Sequence, residues 1–172
     1  LPYPIVLIVS GSRNSGKTAL CIKIFKHFSK KRANIGGVIT LKGERNRSKG
    51  DERFAQNLVS GKRALLAVRK PDERYRFIPA GVRFANRAIG GFSGNILIVD
   101  EIGKLEKKGR GFKEVFKKLN TRPPHAVVIS CRDENVKWLT DKIARKVFKI
   151  DTQDARSKEI ALKLIARAIS QK

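Results

Sequence analysis

The sequence predicts an α/β fold, a mainly parallel sheet with helices on both faces. The runs Ile5–Val9, Ile96–Val99 and Ala126–Cys131 are continuously apolar, as strands buried on both faces must be. Stretches with apolar residues at helical spacing lie between them. Strands that alternate with helices require crossover connections, and hence parallel pairing. At 172 residues and 41% hydrophobic composition the chain suffices for one domain, spanning positions 1–172, with a buried sheet.

The first strand runs straight into Gly11-Ser12-Arg13-Asn14-Ser15-Gly16-Lys17-Thr18. A helix follows over Thr18 to Arg32, burying Leu20, Ile22, Ile24, Phe25 and Phe28 on the sheet. Ile35 to Leu41 reads as a second strand, and Gly36 and Gly37 at its start suit a close backbone approach. Lys42 to Glu52 is charged and carries Gly43 and Gly50, so an exposed loop or hairpin tip is expected. Arg53 to Val59 and Arg63 to Val68 flank Ser60-Gly61-Lys62 as a tight hairpin, and Tyr75 to Ile78 reads as one more short strand. These pieces form a small antiparallel β insert at about 42–78.

Pro79 to Ile89 is an amphipathic helix stopped by Gly90-Gly91. The apolar strand that begins at Asn95 ends in Asp100-Glu101. Phe112 to Leu119 is helical, Ala126 to Cys131 is another buried strand, and Glu134 to Ala144 is a helix. Lys146 to Ile150 makes a last strand, and Asp151 or Thr152 is expected to cap the final helix.

Lys and Arg number 39 against 15 Asp and Glu, a formal charge of +24. That excess attracts polyanions without choosing among nucleotide, nucleic acid and acidic membrane. The basic residues are spread along the chain instead of forming one tail. Cys21 and Cys131 lack CxxC spacing and no secretory leader precedes them, which fits buried thiols in a reducing cytoplasm. His27 and His125 have no companions at metal-ligand spacing, so a zinc site is not expected. No apolar run approaches the roughly 20 residues that span a bilayer, and a soluble protein without membrane contact is expected. The chain starts at Leu1 and holds no methionine, as expected of a trimmed or excised segment.

Gly11 to Thr18 matches the phosphate-binding pattern GxxxxGK[ST] between a strand and a helix, the context that gives the pattern its meaning. Successive N–H groups of Gly11, Ser12, Arg13, Asn14, Ser15, Gly16, Lys17, Thr18 and Ala19 are expected to face phosphate oxygens, aided by the positive end of the helix. Lys17 would reach the β- and γ-phosphates, and the Thr18 hydroxyl would ligate Mg²⁺. Asp100, at the carboxyl edge of its strand, would hold the same Mg²⁺ through its water shell, the Walker B role. Glu101 points away from Asp100 in a regular strand, yet could turn toward the γ-phosphate where strand gives way to loop. There it would serve as general base toward water.

Lys104 and Arg132 compete for charge stabilisation as the terminal phosphate leaves. Arg45 and Arg47 read first as a solvated tip, with closure over nucleotide as the alternative.

The combination of SGSRNSGKT, GGVIT, VDEIGKLE and TQDAR resembles the small P-loop nucleoside-triphosphatase family first described from thermophiles, over nearly the whole chain. DEIGKLE, Asp100 to Glu106, is the most specific mark. The resemblance implies a RecA-like P-loop core and slow hydrolysis of ATP, GTP and other triphosphates to diphosphate and phosphate. It points by position to Lys104, Glu106 and Arg156 as residues worth testing, and Gly103 beside them is expected among the nucleotide-binding residues. Arg13 and Asn14 stand where the family more often reads GxPGxGKT. The expected activity is Mg²⁺-dependent triphosphate hydrolysis. The alternatives are a nucleotide-gated nucleic-acid-binding protein that works through its basic surface, and a small-molecule kinase, which needs an acceptor pocket and an arginine-rich lid.

Overall fold

The computed structural model describes residues 4–43, 50–71, 73–143 and 145–170. Arg45 and Arg47 lie outside the described residues. The elements in order are β1 (Ile5–Ser10), α1 (Lys17–Lys30), β2 (Ile35–Lys42), β3 (Asp51–Asn57), β4 (Arg63–Arg69), β5 (Arg76–Phe77), α2 (Pro79–Gly90), β6 (Ile96–Ile102), α3 (Lys104–Lys107), α4 (Glu114–Thr121), β7 (Ala126–Cys131), α5 (Asp133–Lys142), β8 (Val147–Asp151) and α6 (Ser157–Ser170).

Among the described residues the strands form one eight-stranded sheet in the order β5-β4-β3-β2-β6-β7-β1-β8. β2, β6, β7, β1 and β8 pair in parallel, whereas β3, β4 and β5 add on antiparallel to β2. The antiparallel insert therefore extends the main sheet instead of standing apart from it. Its reach follows from β2, which is paired with β6 near its start and with β3 along its second half.

Alternation along the strands divides the core between two faces. Ile5, Leu7 and Val9 pack with Leu20, Ile24 and Phe28 of α1 and Ala161 and Ile165 of α6. Val6 and Ile8 belong to the opposite face with Ala85 and Ile89 of α2, Val115 and Leu119 of α4 and Leu139 of α5. Each of the Val, Leu, Ile and Phe side chains among them contributes roughly 1.5–3 kcal/mol through the apolar surface it removes from water. Gly37 permits the β2–β6 pairing, because a Cβ there would lie 1.9 Å from the Ile98 carbonyl oxygen. Cys21 and Cys131 are both buried free thiols, and burial pushes Cys131 up to about 11 and Cys21 well above its ordinary value. No helix among the described residues is long and apolar enough to cross a membrane.

Three local expectations change. The strand that carries Asp100 continues to Ile102, and a short helix, α3, follows it at Lys104. The last helix starts at Ser157, and neither Asp151 nor Thr152 caps it. Asp151 Oδ1 accepts from the Gln153 N–H in a tight turn, while the Thr152 hydroxyl donates to the Ser10 carbonyl at 3.1 Å and lies 2.8 Å from Ser15 Oγ. Thr152 thus fastens the end of β8 to the loop after β1.

Candidate active site

The loop from Gly11 to Gly16 joins the end of β1 to α1. Gly11 is required by space, since a Cβ there would sit 2.3 Å from both Ser15 Oγ and Thr152 Oγ1. Asn14 has φ 62, a left-handed backbone that Asn tolerates better than most side chains, which explains its place in the loop. Helix α1 has no side-chain cap and no acidic residue in its first turn. Its first N–H groups and its positive dipole end are therefore available to an anion. Lys17 Nζ lies over the loop, 2.9 Å from the Gly11 carbonyl, 2.5 Å from the Ser12 carbonyl and 3.5 Å from Ser15 Oγ. Arg13 and Asn14 face the same cavity as Lys17 and Thr18, and Lys42 Nζ donates to Asn14 Oδ1 at 3.0 Å.

β7 stands between β1 and β6, so three strand ends converge beside this loop. Asp100 is 1% exposed and is bonded on all sides. Its Oδ2 accepts from the Thr18 hydroxyl at 2.8 Å and from the Thr40 N–H at 3.1 Å, and Ser130 Oγ donates to Oδ1. Burial raises the Asp100 pKa, opposed by the Ser130, Thr18 and Thr40 bonds and by the Lys17 charge.

Glu101 is turned by a β-bulge. Val99 pairs with Ile129 and Ile102 with Cys131, so β6 uses one more residue than β7 over this interval. Glu101 takes up the extra residue with φ 70, and its side chain joins Asp100 in lining the cavity instead of passing to the far face. A left-handed residue with a side chain costs roughly 1–2 kcal/mol. The Ser130 hydroxyl accepts the Glu101 N–H at 2.8 Å, so one β7 side chain steadies both acids. Burial first, and then the Asp100 charge, raise the Glu101 pKa, while Arg53, Arg132 and Lys17 lower it.

The cavity measures about 530 Å³, within the range of small-molecule sites. The predicted residues Arg13, Asn14, Lys17, Thr18, Asp100, Glu101, Gly103, Lys104, Glu106 and Arg132 all line it. Gly103 brings no free donor, because its N–H donates to Glu106 Oε2 at 2.7 Å. Glu106 is nearly buried and also accepts from the Phe112 N–H at 2.7 Å, so it braces the segment after Glu101. Arg156 is exposed beside Asp154, with 3.8 Å between Nε and Oδ1, and does not line the cavity.

The structure adds Thr40, Ser130, Asn135, Thr152, Arg53 and Tyr75 to the site. Thr40 Oγ1 and Asn135 Oδ1 are buried without a hydrogen-bond partner, and both residues face the cavity. Ser130 carried a signal in the sequence as a polar residue near the end of an otherwise apolar strand. Arg53 and Tyr75 carried none.

A family model described as NTPase matches residues 6–165. The chain belongs to this family. The NTPase is accordingly an enzyme that hydrolyses nucleoside triphosphates. Solved structures share its fold. The solution structure of a human cancer-related nucleoside triphosphatase superimposes with a TM-score of 0.70 at 18% identity, covering 96% of this chain and 98% of that one. The crystal structure of THEP1 from the hyperthermophile Aquifex aeolicus gives a TM-score of 0.60 at 22% identity, covering 93% of this chain and 98% of that one. No curated protein matches the sequence. The matched fold is the mainly parallel α/β fold that the alternation of strands and helices predicted, with the P-loop NTPase core that the family resemblance implied.

Proposed function

We propose that the NTPase hydrolyses ATP, GTP and other nucleoside triphosphates to diphosphate and phosphate, with Mg²⁺. The observation that carries this reading is the 2.8 Å bond from Thr18 to Asp100, with Lys17 and Glu101 facing the same cavity. The residues fit that ion. Thr18, Asp100, Ser130 and the unpartnered Thr40 hydroxyl offer only hard oxygen atoms. No group of three or more His, Cys, Asp or Glu that could hold a metal occurs among the described residues. Such a site suits a cation that takes one or two protein ligands and completes its shell with phosphates and water. Thr18 and Asp100 would hold it, and bound there it would neutralise charge on the β- and γ-phosphates.

Loop amides and Lys17 bind the polyphosphate. Glu101 orients a water against the γ-phosphorus and accepts its proton as the new P–O bond forms and the bond to the β-phosphate oxygen breaks. The raised Glu101 pKa suits a base, since a carboxylate of ordinary pKa holds a proton too weakly to take one from water. Phosphate release from a panel of nucleotides, with and without Mg²⁺, tests the reading. Glu101→Gln is expected to keep nucleotide affinity and lose at least about tenfold in turnover. Unchanged turnover would remove Glu101 from the mechanism.

A further inference from the structure

The insert supplies one arginine whose position is built by several contacts. Arg53, half-buried on β3, sits at a register shift between Arg53 and Phe54, the kind of bulge that re-aims a side chain. Its Nε donates to the Tyr75 hydroxyl at 3.1 Å, and its Cζ lies 5.4 Å from the centre of the Tyr75 ring. The Tyr75 hydroxyl lies 3.4 Å from Asp51 Oδ2, to which Arg69 also donates, and the Arg69 Cζ stands 5.0 Å from the same ring. The chain of donors is consistent. Tyr75 gives its proton toward Asp51 and accepts from Arg53, while Arg69 fixes the Asp51 carboxylate.

Two relationships aim this cluster at the phosphates. Arg53 pairs across the β2–β3 ladder with Lys42, whose ammonium is bonded to Asn14 of the phosphate loop. Arg53 also faces the same cavity as Lys17 and Glu101. By contrast, Lys104 and Arg132 are exposed, and among the described residues no hydrogen bond or ion pair holds either side chain. A guanidinium has five N–H donors in a fixed fork, and the bond to Tyr75 uses one of them.

We propose that Arg53 meets the γ-phosphate from the insert side, opposite Lys17, and stabilises the charge spread over its oxygens during transfer to water, with Tyr75 as the residue that positions it. This rests on the hydrolytic reading above. A preorganised arginine acts more strongly at the transition state than in the ground state where its fork is set for the flattened, in-line phosphoryl group that exists only during transfer.

The test measures kcat, KM and binding of ADP with aluminium fluoride, a mimic of the transferring phosphoryl group, for the parent enzyme and for Arg53→Ala, Arg53→Lys and Tyr75→Phe. Arg53→Ala is expected to lower kcat at least about tenfold with KM nearly unchanged, and to weaken the fluoride complex while ADP alone binds as before. Arg53→Lys should recover only part of the rate, since an ammonium lacks the fork. Tyr75→Phe, which keeps the ring and loses the hydroxyl, should fall between parent and Arg53→Ala in kcat. An Arg53→Ala enzyme within about twofold of the parent, or one whose loss lies wholly in KM, overturns the role. A parent that releases no phosphate overturns the hydrolytic reading and this role with it.

Discussion

The Thr18 hydroxyl donates to Asp100 across 82 positions of sequence, at 2.8 Å. This contact joins the helix after the phosphate loop to the end of the acidic strand. It exists because β7 spaces β1 from β6 and offers Ser130 as a second donor to the same carboxylate. A buried acid with that many donors is held in one orientation.

Asp100 gives the first prediction. Asp100→Asn keeps the shape and an acceptor for the Thr40 N–H, so folding should survive while the charge is lost. Turnover is expected to fall at least about tenfold, with a higher Mg²⁺ concentration needed for half-maximal rate. Asp100→Leu should in addition lose roughly 1–3 kcal/mol of stability, because the buried Thr40 N–H then has no partner. Phosphate release against Mg²⁺ concentration and denaturant unfolding separate the two effects. Full activity in Asp100→Asn would dismiss the proposed metal role.

Glu101 gives the second. Its left-handed backbone is a cost that glycine does not share, although glycine loses about 0.5–1 kcal/mol through its freer unfolded chain. Glu101→Gly is therefore expected to be as stable as the parent or up to about 1 kcal/mol more so, and nearly inactive. Urea unfolding together with phosphate release checks both halves. A marked loss of stability would mean that the bulge is unstrained or that the Glu101 side chain holds the fold.

These two acids also mark how far the sequence was legible. β1, β6 and β7 could be read because each is apolar on both faces, and the phosphate loop because glycine, lysine and threonine stand at fixed offsets. The bulge at Glu101 could not, since one extra residue in a ladder leaves no local trace. Thr40 acquires its role only from register, and register turns the polar signal of Ser130 into a contact, bringing both to Asp100 from neighbouring strands. Thr152 was misread because a threonine between strand and helix has two uses, and here its hydroxyl reaches back to Ser10 and Ser15. Arg53 was hidden among 39 basic residues, and only the bond to Tyr75 and the shared cavity single it out.

Glu106 gives a pH dependence. Burial raises its pKa above the ordinary 4.5, against bonds from the Phe112 and Gly103 N–H groups that lower it. A raised carboxyl pKa means that the folded chain binds this proton more tightly than the unfolded chain. Its contribution to stability is therefore fullest below about 4.5 and declines as pH rises from there through the folded value. Glu106→Gln has nothing to titrate and should flatten that decline in unfolding free energy measured against pH. An equal slope in parent and variant would assign the pH dependence to other groups.

The charge of +24 gives the last prediction. Because binding of a polyanion releases condensed counterions, the affinity of non-specific contacts falls steeply with salt, by several orders of magnitude between about 50 and 200 mM when many phosphates are neutralised. The basic residues are spread along the sequence and supply attraction of that non-specific kind, so an RNA or DNA oligonucleotide should bind at low salt and be released at moderate salt. Hydrolysis at that moderate salt should be the same with and without the oligonucleotide, because an oligonucleotide that has been released no longer competes for the site. Fluorescence anisotropy beside phosphate release measures both. Binding that persists at moderate salt and changes the rate of hydrolysis would reverse the ranking of the two readings, making the basic surface the working part and hydrolysis its timer.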